Sequence, residues 1–292
     1  MIHSLVLALP LVAAFVASAP APVPPSQAPA VPASSWPADD AGLTKLAAGL
    51  VNDWMSRTAA PALEAVTQPC FHFLSFEGAC DRASAIERLV AMGAGSPKVS
   101  DVVATRVGDA LVVTCMVGVS QKAGGATLPT DPSPRLGVWQ LADGQWKLAA
   151  WASLNMPAVR PAPSAPSFAG DAAVSSEGAA MVSRLLGAQH RKDLAAFGAM
   201  LSDGMQVINF KGQKVRKDIE RGAEAATIDE PKVADARAAR CGDLTVVTCT
   251  LTMGQKIGWT KLPADPAPFM AVFQGTGDSA KVIAMANTNK PK

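Results

Sequence analysis

Residues 128–140 read LPTDPSPRLGVWQ, and further along the chain 262–274 read LPADPAPFMAVFQ. Extended in both directions, the same offset aligns 97–157 with 231–291 without a gap, and nearly half of the aligned positions are identical. The shared features include PKV at Pro97 and Pro231, Gly-Asp at Gly108 and Gly242, VVTC at Val112 and Val246, and an asparagine at Asn155 and Asn289. Upstream, FEG at Phe76 matches FKG at Phe210, and after a one-residue slip the IER of Ile86 matches that of Ile219. A repeat of about 118 residues is a whole domain rather than a solenoid unit. The 292-residue chain has room for two, each with its own core.

The two units share one coarse order. An opening helix runs through 43–57, where Leu43, Leu46, Ala47, Leu50 and Trp54 recur at helical spacing; its counterpart starts near Glu177. A short strand at 70–76, a turn at Gly78 and a second helix containing ASAIERLVAM follow. Four strands are predicted at 99–107, 110–121, 134–141 and 145–155, with Asp143-Gly144 as a two-residue hairpin signal. Strands gathered after helices give an α+β class with an antiparallel sheet.

The flanking segments are of a different kind. No Asp, Glu, Lys or Arg occurs before Asp39, and 5–17 form an apolar run of signal-peptide length. Residues 1–19 are therefore expected to be a signal peptide, and the chain to be periplasmic or secreted. Residues 20–38, with seven prolines between Pro20 and Pro37, read as a tether, and 158–170 as a Pro-rich linker between domains at 39–157 and 171–291. The net charge of +2, with no basic cluster, argues against nucleic acid as a partner.

The order of helix, strand, FEG, helix and long strands, closing on PRLGVWQLADGQWKLAAWASLN, resembles a nuclear transport factor 2-like domain, nearest the SnoaL-like and ketosteroid-isomerase-like branches. The resemblance implies two tandem cone-shaped domains, each a curved antiparallel sheet packed on N-terminal helices, with an apolar pocket against the concave face. Such domains often pair through their sheets, so a tandem chain is expected to form an intramolecular pseudo-dimer; any higher oligomer is left open. The fold hosts isomerases, dehydratases, hydrolases and binders alike.

The isomerase-like and dehydratase-like sites of the family rely on tyrosine, and this chain has none. An acid/base rival therefore falls on His72, Asp53 or Asp131. His72 is replaced by Gln206 in the second copy, and His190 reads as a solvated helix end. No cofactor and no metal site is implied: Cys70, His72 and Cys80 lack a fourth ligand at zinc spacing. Cys115 and Cys249, equivalent and among apolar neighbours, read as buried thiols. Cys70 and Cys80 are the favoured disulfide partners, which leaves Cys241 odd. Asp131 and Asp265, each between prolines, are expected to shape a turn.

Regular alternation across the Asp143-Gly144 hairpin places Trp139, Trp146 and Leu148 on one face, and Val138, Trp151, Ser153 and Asn155 on the other. The ligand-binding candidates are Trp54, His72, Trp139, Trp151 and Asn155, all in the first copy. The function expected is binding of a small apolar molecule or a protein partner; a SnoaL-like lyase or isomerase and a structural envelope protein are the alternatives.

Overall fold

The computed structural model of the chain describes residues 36–291, apart from 94–95, 124–125, 158–161, 163, 165 and 167. The expected signal peptide, most of the tether and part of the linker thus lie outside the described residues. The first half runs α1 (Asp40–Ser56), α2 (Ala60–Ala65), β1 (Thr67–Ser75), β2 (Gly78–Asp81), α3 (Arg82–Met92), β3 (Lys98–Val107), β4 (Ala110–Gly118), the short β5 (Lys122–Ala123) and β6 (Ala126–Thr127), β7 (Ser133–Ala142) and β8 (Gln145–Ser153). The second runs α4 (Ala172–His190), α5 (Leu194–Ala199), β9 (Leu201–Asn209), β10 (Gly212–Val215), α6 (Arg216–Ala225), β11 (Ala226–Ile228), β12 (Lys232–Cys241), β13 (Leu244–Thr252), β14 (Gln255–Ile257), β15 (Thr260–Leu262), β16 (Ala267–Gln274) and β17 (Lys281–Asn287). The short α2 and the strand β2 are additions to the sequence reading.

Local chemistry sets the helix starts. The Asp39 carboxylate accepts from Gly42 N at 2.7 Å to open α1, and Asp81 accepts from Ser84 N at 3.0 Å to open α3. Asp171 and Asp193 do the same for α4 and α5. Along α1, Leu43, Leu46, Ala47, Leu50, Val51 and Trp54 are buried as one apolar face against the sheet.

The six-stranded sheets have the same order, β2-β1-β8-β7-β4-β3 and β10-β9-β17-β16-β13-β12. Neighbours are antiparallel except at β1 with β8 and β9 with β17, so the α+β class holds with one parallel joint in each sheet. Both outer long strands bend at a bulge. The registers slip between Ser100 and Val103 and between Ala234 and Arg237, where Asp101 (φ 50°) and its counterpart Asp235 (φ 53°) adopt the left-handed conformation that Asp tolerates.

Each half keeps a core between helices and the concave sheet face, and a third core joins the two sheets. Leu74, Val112, Leu136, Val138, Ala150 and Ala152 of the first half are buried in this seam with Ile208, Val246, Met270, Val272, Ala284 and Ala286, their counterparts under the sequence repeat. Its polar contacts are paired in the same way. His72 Nδ1 lies 3.2 Å from Thr248 Oγ1, while Thr114 Oγ1 donates to Gln206 Oε1 at 2.5 Å, and these four residues are two equivalent pairs. Contacts that repeat under exchange of the halves are those of a twofold interface.

The seam also relocates the disulfide. Cys70 is bonded to Cys241 across 171 residues, with their Cα atoms 5.7 Å apart, and Cys80 is a free buried thiol. The expected Cys70–Cys80 bridge fails because the two side chains leave the β1–β2 hairpin on opposite faces: Cys70 joins the seam, Cys80 the core of the first half. Cys241, expected to be the odd thiol, is the partner. Residues 36 and 168, assigned by sequence to tether and linker, are docked. Trp36 lies edge-on to Trp146 at 4.8 Å, and Phe168 edge-on to His72 at 5.0 Å.

Two measurements follow from the seam. Burial holds the His72 imidazole neutral and lowers its pKa from 6.5 to about 4, against an opposing pull from Asp81. The folded state then binds fewer protons than the unfolded chain between those values. The stabilising contribution is present above pH 6.5 and is lost as pH falls toward 4, by about 3 kcal/mol in all. Denaturant titrations from pH 7.5 to 4 are expected to show this decline in excess of that of His72→Gln, which carries the residue found at position 206. Cys241→Ser, or reduction of the bridge, is expected to lower unfolding stability by about 2–5 kcal/mol, measured in urea.

Candidate functional site

The concave face of the first sheet is assembled by two strands whose alternation is reset halfway. On β7, Arg135, Gly137 and Trp139 point inward, while Leu136 and Val138 enter the seam. Asp143 (φ 53°) and Gly144 (φ 71°) form the expected tight turn into β8. Trp139 then pairs with Leu148 but Val138 with Ala150, leaving Ala149 as a bulge. Before the bulge Trp146 and Leu148 face the core; after it Trp151, Ser153 and Asn155 do. Trp139 and Trp151 therefore lie on one face, with ring centroids 5.9 Å apart, not on opposite faces as regular alternation requires. Gly137 leaves them room, because a Cβ there would lie 2.3 Å from the Trp139 ring and 2.9 Å from that of Trp151.

Above these rings is a cavity of about 520 Å³. Its walls come from the end of β1 (Phe73, Ser75) with Phe76 and Glu77, from α3 (Arg88, Leu89, Ala91, Met92), from Gln121 and Leu128, and from Arg135, Trp151, Ser153 and Asn155. Glu77 and Arg88 form an ion pair at 3.3 Å, each partly exposed. Arg135 is 1% exposed, and burial lowers its pKa to about 10, so the guanidinium is charged at neutral pH. Its Nη1 donates to Ser133 Oγ at 2.7 Å, to Ser133 O at 3.1 Å and to Pro134 O at 3.2 Å, while Nη2 is buried without a hydrogen-bond partner among the described residues.

The candidates chosen from sequence separate cleanly. Trp151 and Asn155 line the cavity. Trp54 and Trp139 do not: they lie behind Trp151 as an aromatic floor, Trp54 at 6.1 Å from it and 5.5 Å from Phe71. His72 is on the opposite face of β1, 2% exposed in the seam, because strand alternation sends Phe71 and Phe73 to the concave side. Asn155 has a structural task as well, since its Nδ2 donates to Pro129 O at 3.1 Å; in the second half Asn289 donates to Pro263 O at 2.9 Å. This clamp explains the paired Pro-Asp-Pro loops, whose carbonyl the last strand's asparagine holds in both halves. Asp131 is exposed on that loop. Asp53 is bound by Arg57 at 2.7 Å along α1. None of the three acid/base candidates reaches the cavity wall.

Arg135, Glu77, Arg88, Gln121 and Ser153 were missed. The signal for Arg135 lay in the repeat, where the matching residue is Phe269; the bulge that turns Ser153 inward leaves no mark in composition.

The second half carries different residues at the same sites. Cys115 faces Arg135 across the β4–β7 ladder as Cys249 faces Phe269 across β13–β16, and Met285 and Asn287 stand for Trp151 and Ser153. Phe269, Met285, Met253, Leu251 and Ile228 pack together in this interior. Strand β11 pairs with β14, and His190 Nδ1 approaches Ile228 O at 2.9 Å, so the expected solvated end of α4 also anchors β11. Burial pushes the Cys80, Cys115 and Cys249 thiols up to about 12, keeping them protonated and unreactive. No cluster of three or more metal-ligating side chains occurs among the described residues.

No protein-family model matches the sequence, and no curated protein matches it significantly. Solved structures similar to it include an NTF2-like protein from Cytophaga hutchinsonii (18% identity, 38% of this chain and 90% of that chain, TM-score 0.33). Others are an NTF2-like protein of unknown function in nutrient uptake from Rhodospirillum rubrum (18%, 39% and 97%, TM-score 0.32) and a conserved protein from Planctomyces limnophilus (13%, 42% and 100%, TM-score 0.36). In this chain the same order of helices and of six strands in a sheet is present twice.

The floor of the cavity is testable by itself. Gly137→Ala drives a methyl into two indoles packed edge to face and is expected to destabilise the protein by about 1–3 kcal/mol. The equivalent Ala271→Gly is expected to cost less than that, both read from urea midpoints.

Proposed function

We propose that the protein binds one small, largely apolar molecule in the cavity of its first half, and that the second half serves as the structural mate that covers the first sheet's outer face. The observation that carries this reading is the contrast between equivalent interiors: one has a cavity of about 520 Å³ floored by Trp151, while in the other Phe269, Met285 and Ile228 belong to the buried apolar core. Its size and largely apolar lining suit a small-molecule site. Binding is favoured over acid/base chemistry because Glu77, the carboxylate on the wall, is already paired with Arg88. The halves form an intramolecular pseudo-dimer in this reading, and the chain works outside the cytoplasm, in the periplasm or secreted. The Cys70–Cys241 bridge supports that location, since such bonds persist in oxidising compartments.

A protein partner has one observation in its favour. Trp259, at the turn between β14 and β15, is fully exposed.

The neutral probe N-phenyl-1-naphthylamine separates these readings. Its fluorescence is expected to rise on binding the wild-type protein and to saturate at one equivalent. Ser153→Phe, which fills the cavity from β8, is expected to weaken the probe at least tenfold with the fold intact by circular dichroism. Trp259→Ser is expected to leave binding unchanged. Unchanged binding in Ser153→Phe would place the probe elsewhere and remove the basis of the reading.

A further inference from the structure

The strand position of Arg135 does not require an arginine in both halves. The same register position in the second half is Phe269, facing the equivalent cysteine and packed in an apolar core. A strand position that accepts phenylalanine in one copy carries, in the other, a guanidinium that is 1% exposed. The influences on that group are desolvation and the Cys115 thiol, with no carboxylate among them. Buried charges are ordinarily paired, and one left alone destabilises a fold. The arginine is nevertheless held in place: Nη1 is committed to the Ser133 hydroxyl and to two carbonyls, which fixes the guanidinium of a residue that lines the cavity and leaves its buried Nη2 without a hydrogen-bond partner among the described residues.

The surroundings define what would complete it. Ser153 is directly opposite Arg135 in the β7–β8 ladder, and its Oγ accepts from Asn155 N at 3.4 Å, so its hydroxyl proton is free to be given to a ligand. The rest of the wall near α3 is aliphatic, from Leu89, Ala91 and Met92. One unmatched positive charge with an adjacent hydroxyl donor fits one negative charge, and a planar guanidinium edge matches a carboxylate. A phosphate dianion would bring a second charge for which the wall has no second free cation among the described residues, since Arg88 is bound to Glu77.

We infer that the ligand of this cavity is an amphipathic monocarboxylate, its carboxylate on Arg135 Nη2 and the Ser153 hydroxyl and its apolar body between Trp151 and α3. This rests on the ligand-binding reading and sharpens it to a chemical class. The second half, with Phe269 in place of the arginine, has no equivalent site.

The test is displacement of N-phenyl-1-naphthylamine at pH 7.5 by matched pairs: decanoate against decanamide, and 2-naphthoate against 2-naphthamide. At this pH both acids are ionised and Arg135 is charged. At least one acid is expected to displace the probe at a tenfold or more lower concentration than its amide, and Arg135→Met is expected to abolish that preference while still binding the probe. Equal displacement by acid and amide in both pairs, or displacement by none of the four, would overturn the carboxylate inference while leaving an apolar pocket in place. An acid preference that survives in Arg135→Met would overturn it also. The wild-type comparison needs no variant, so an Arg135→Met protein that does not fold leaves the inference exposed to refutation. Failure of the probe itself to bind would remove the parent reading and this inference with it.

Discussion

The structure depends on one burial event, the packing of two sheets through their outer faces. A curved sheet with helices on its concave side has a second face to cover, and here β1, β4, β7 and β8 present Leu74, Val112, Leu136, Val138, Ala150 and Ala152 on it. Neither half keeps such a surface in water without cost. Duplication supplies the cover, since each half brings apolar residues at equivalent positions to the other. The alanines at Ala150, Ala152, Ala284 and Ala286 let the backbones approach, Thr114 pairs with Gln206 and His72 with Thr248 inside the seam, and Gln206 Nε2 donates to Thr105 Oγ1 and Val112 O. The disulfide lies at its edge and restrains the unfolded chain over a long loop.

With the outer faces spent on cohesion, the concave interiors are free to diverge. The first keeps Gly137, Trp139 and Trp151, where the missing side chain at Gly137 lets two indoles meet edge to face as a floor with open volume above them. The second replaces these with Ala271, Phe273 and Met285, and Ala226 and Ile228 of β11 join its buried core. One interior therefore has space and an unmatched cation, while the other has density. The shared Pro-Asp-Pro loops belong to neither specialisation: they are held by Asn155 and Asn289 as part of the common scaffold.

The repeat made the architecture legible before any coordinates, because one constant offset between the copies fixes two equivalent units, and helical spacing with the Asp143-Gly144 turn locates their elements. Register was less accessible. The Ala149 bulge reverses alternation on β8 and brings Trp151 beside Trp139, and nothing in KLAAWAS announces a bulge. The two bulges at Asp101 and Asp235 did leave a trace, an aspartate in the middle of a strand in both copies. The facing of β1 was undetermined from an alternating run of Cys, Phe, His, Phe and Leu, apolar on both sides because both sides are buried. That ambiguity misplaced His72 in the cavity and Cys70 with Cys80. Arg135 was overlooked since an arginine in a strand ordinarily faces water. Its significance appears only when the burial of that position is set against Phe269.

The central claim is that the first interior is a ligand site completed by a carboxylate and the second is not a site. The most direct measurement is a crystal structure of the protein with whichever acid, decanoate or 2-naphthoate, displaces the probe more strongly. The expected density lies in the first half, with the carboxylate about 2.8 Å from Arg135 Nη2 and the apolar body against Trp151. Density in the second interior, or an acid lying in the first cavity with its carboxylate turned away from Arg135, would contradict the account.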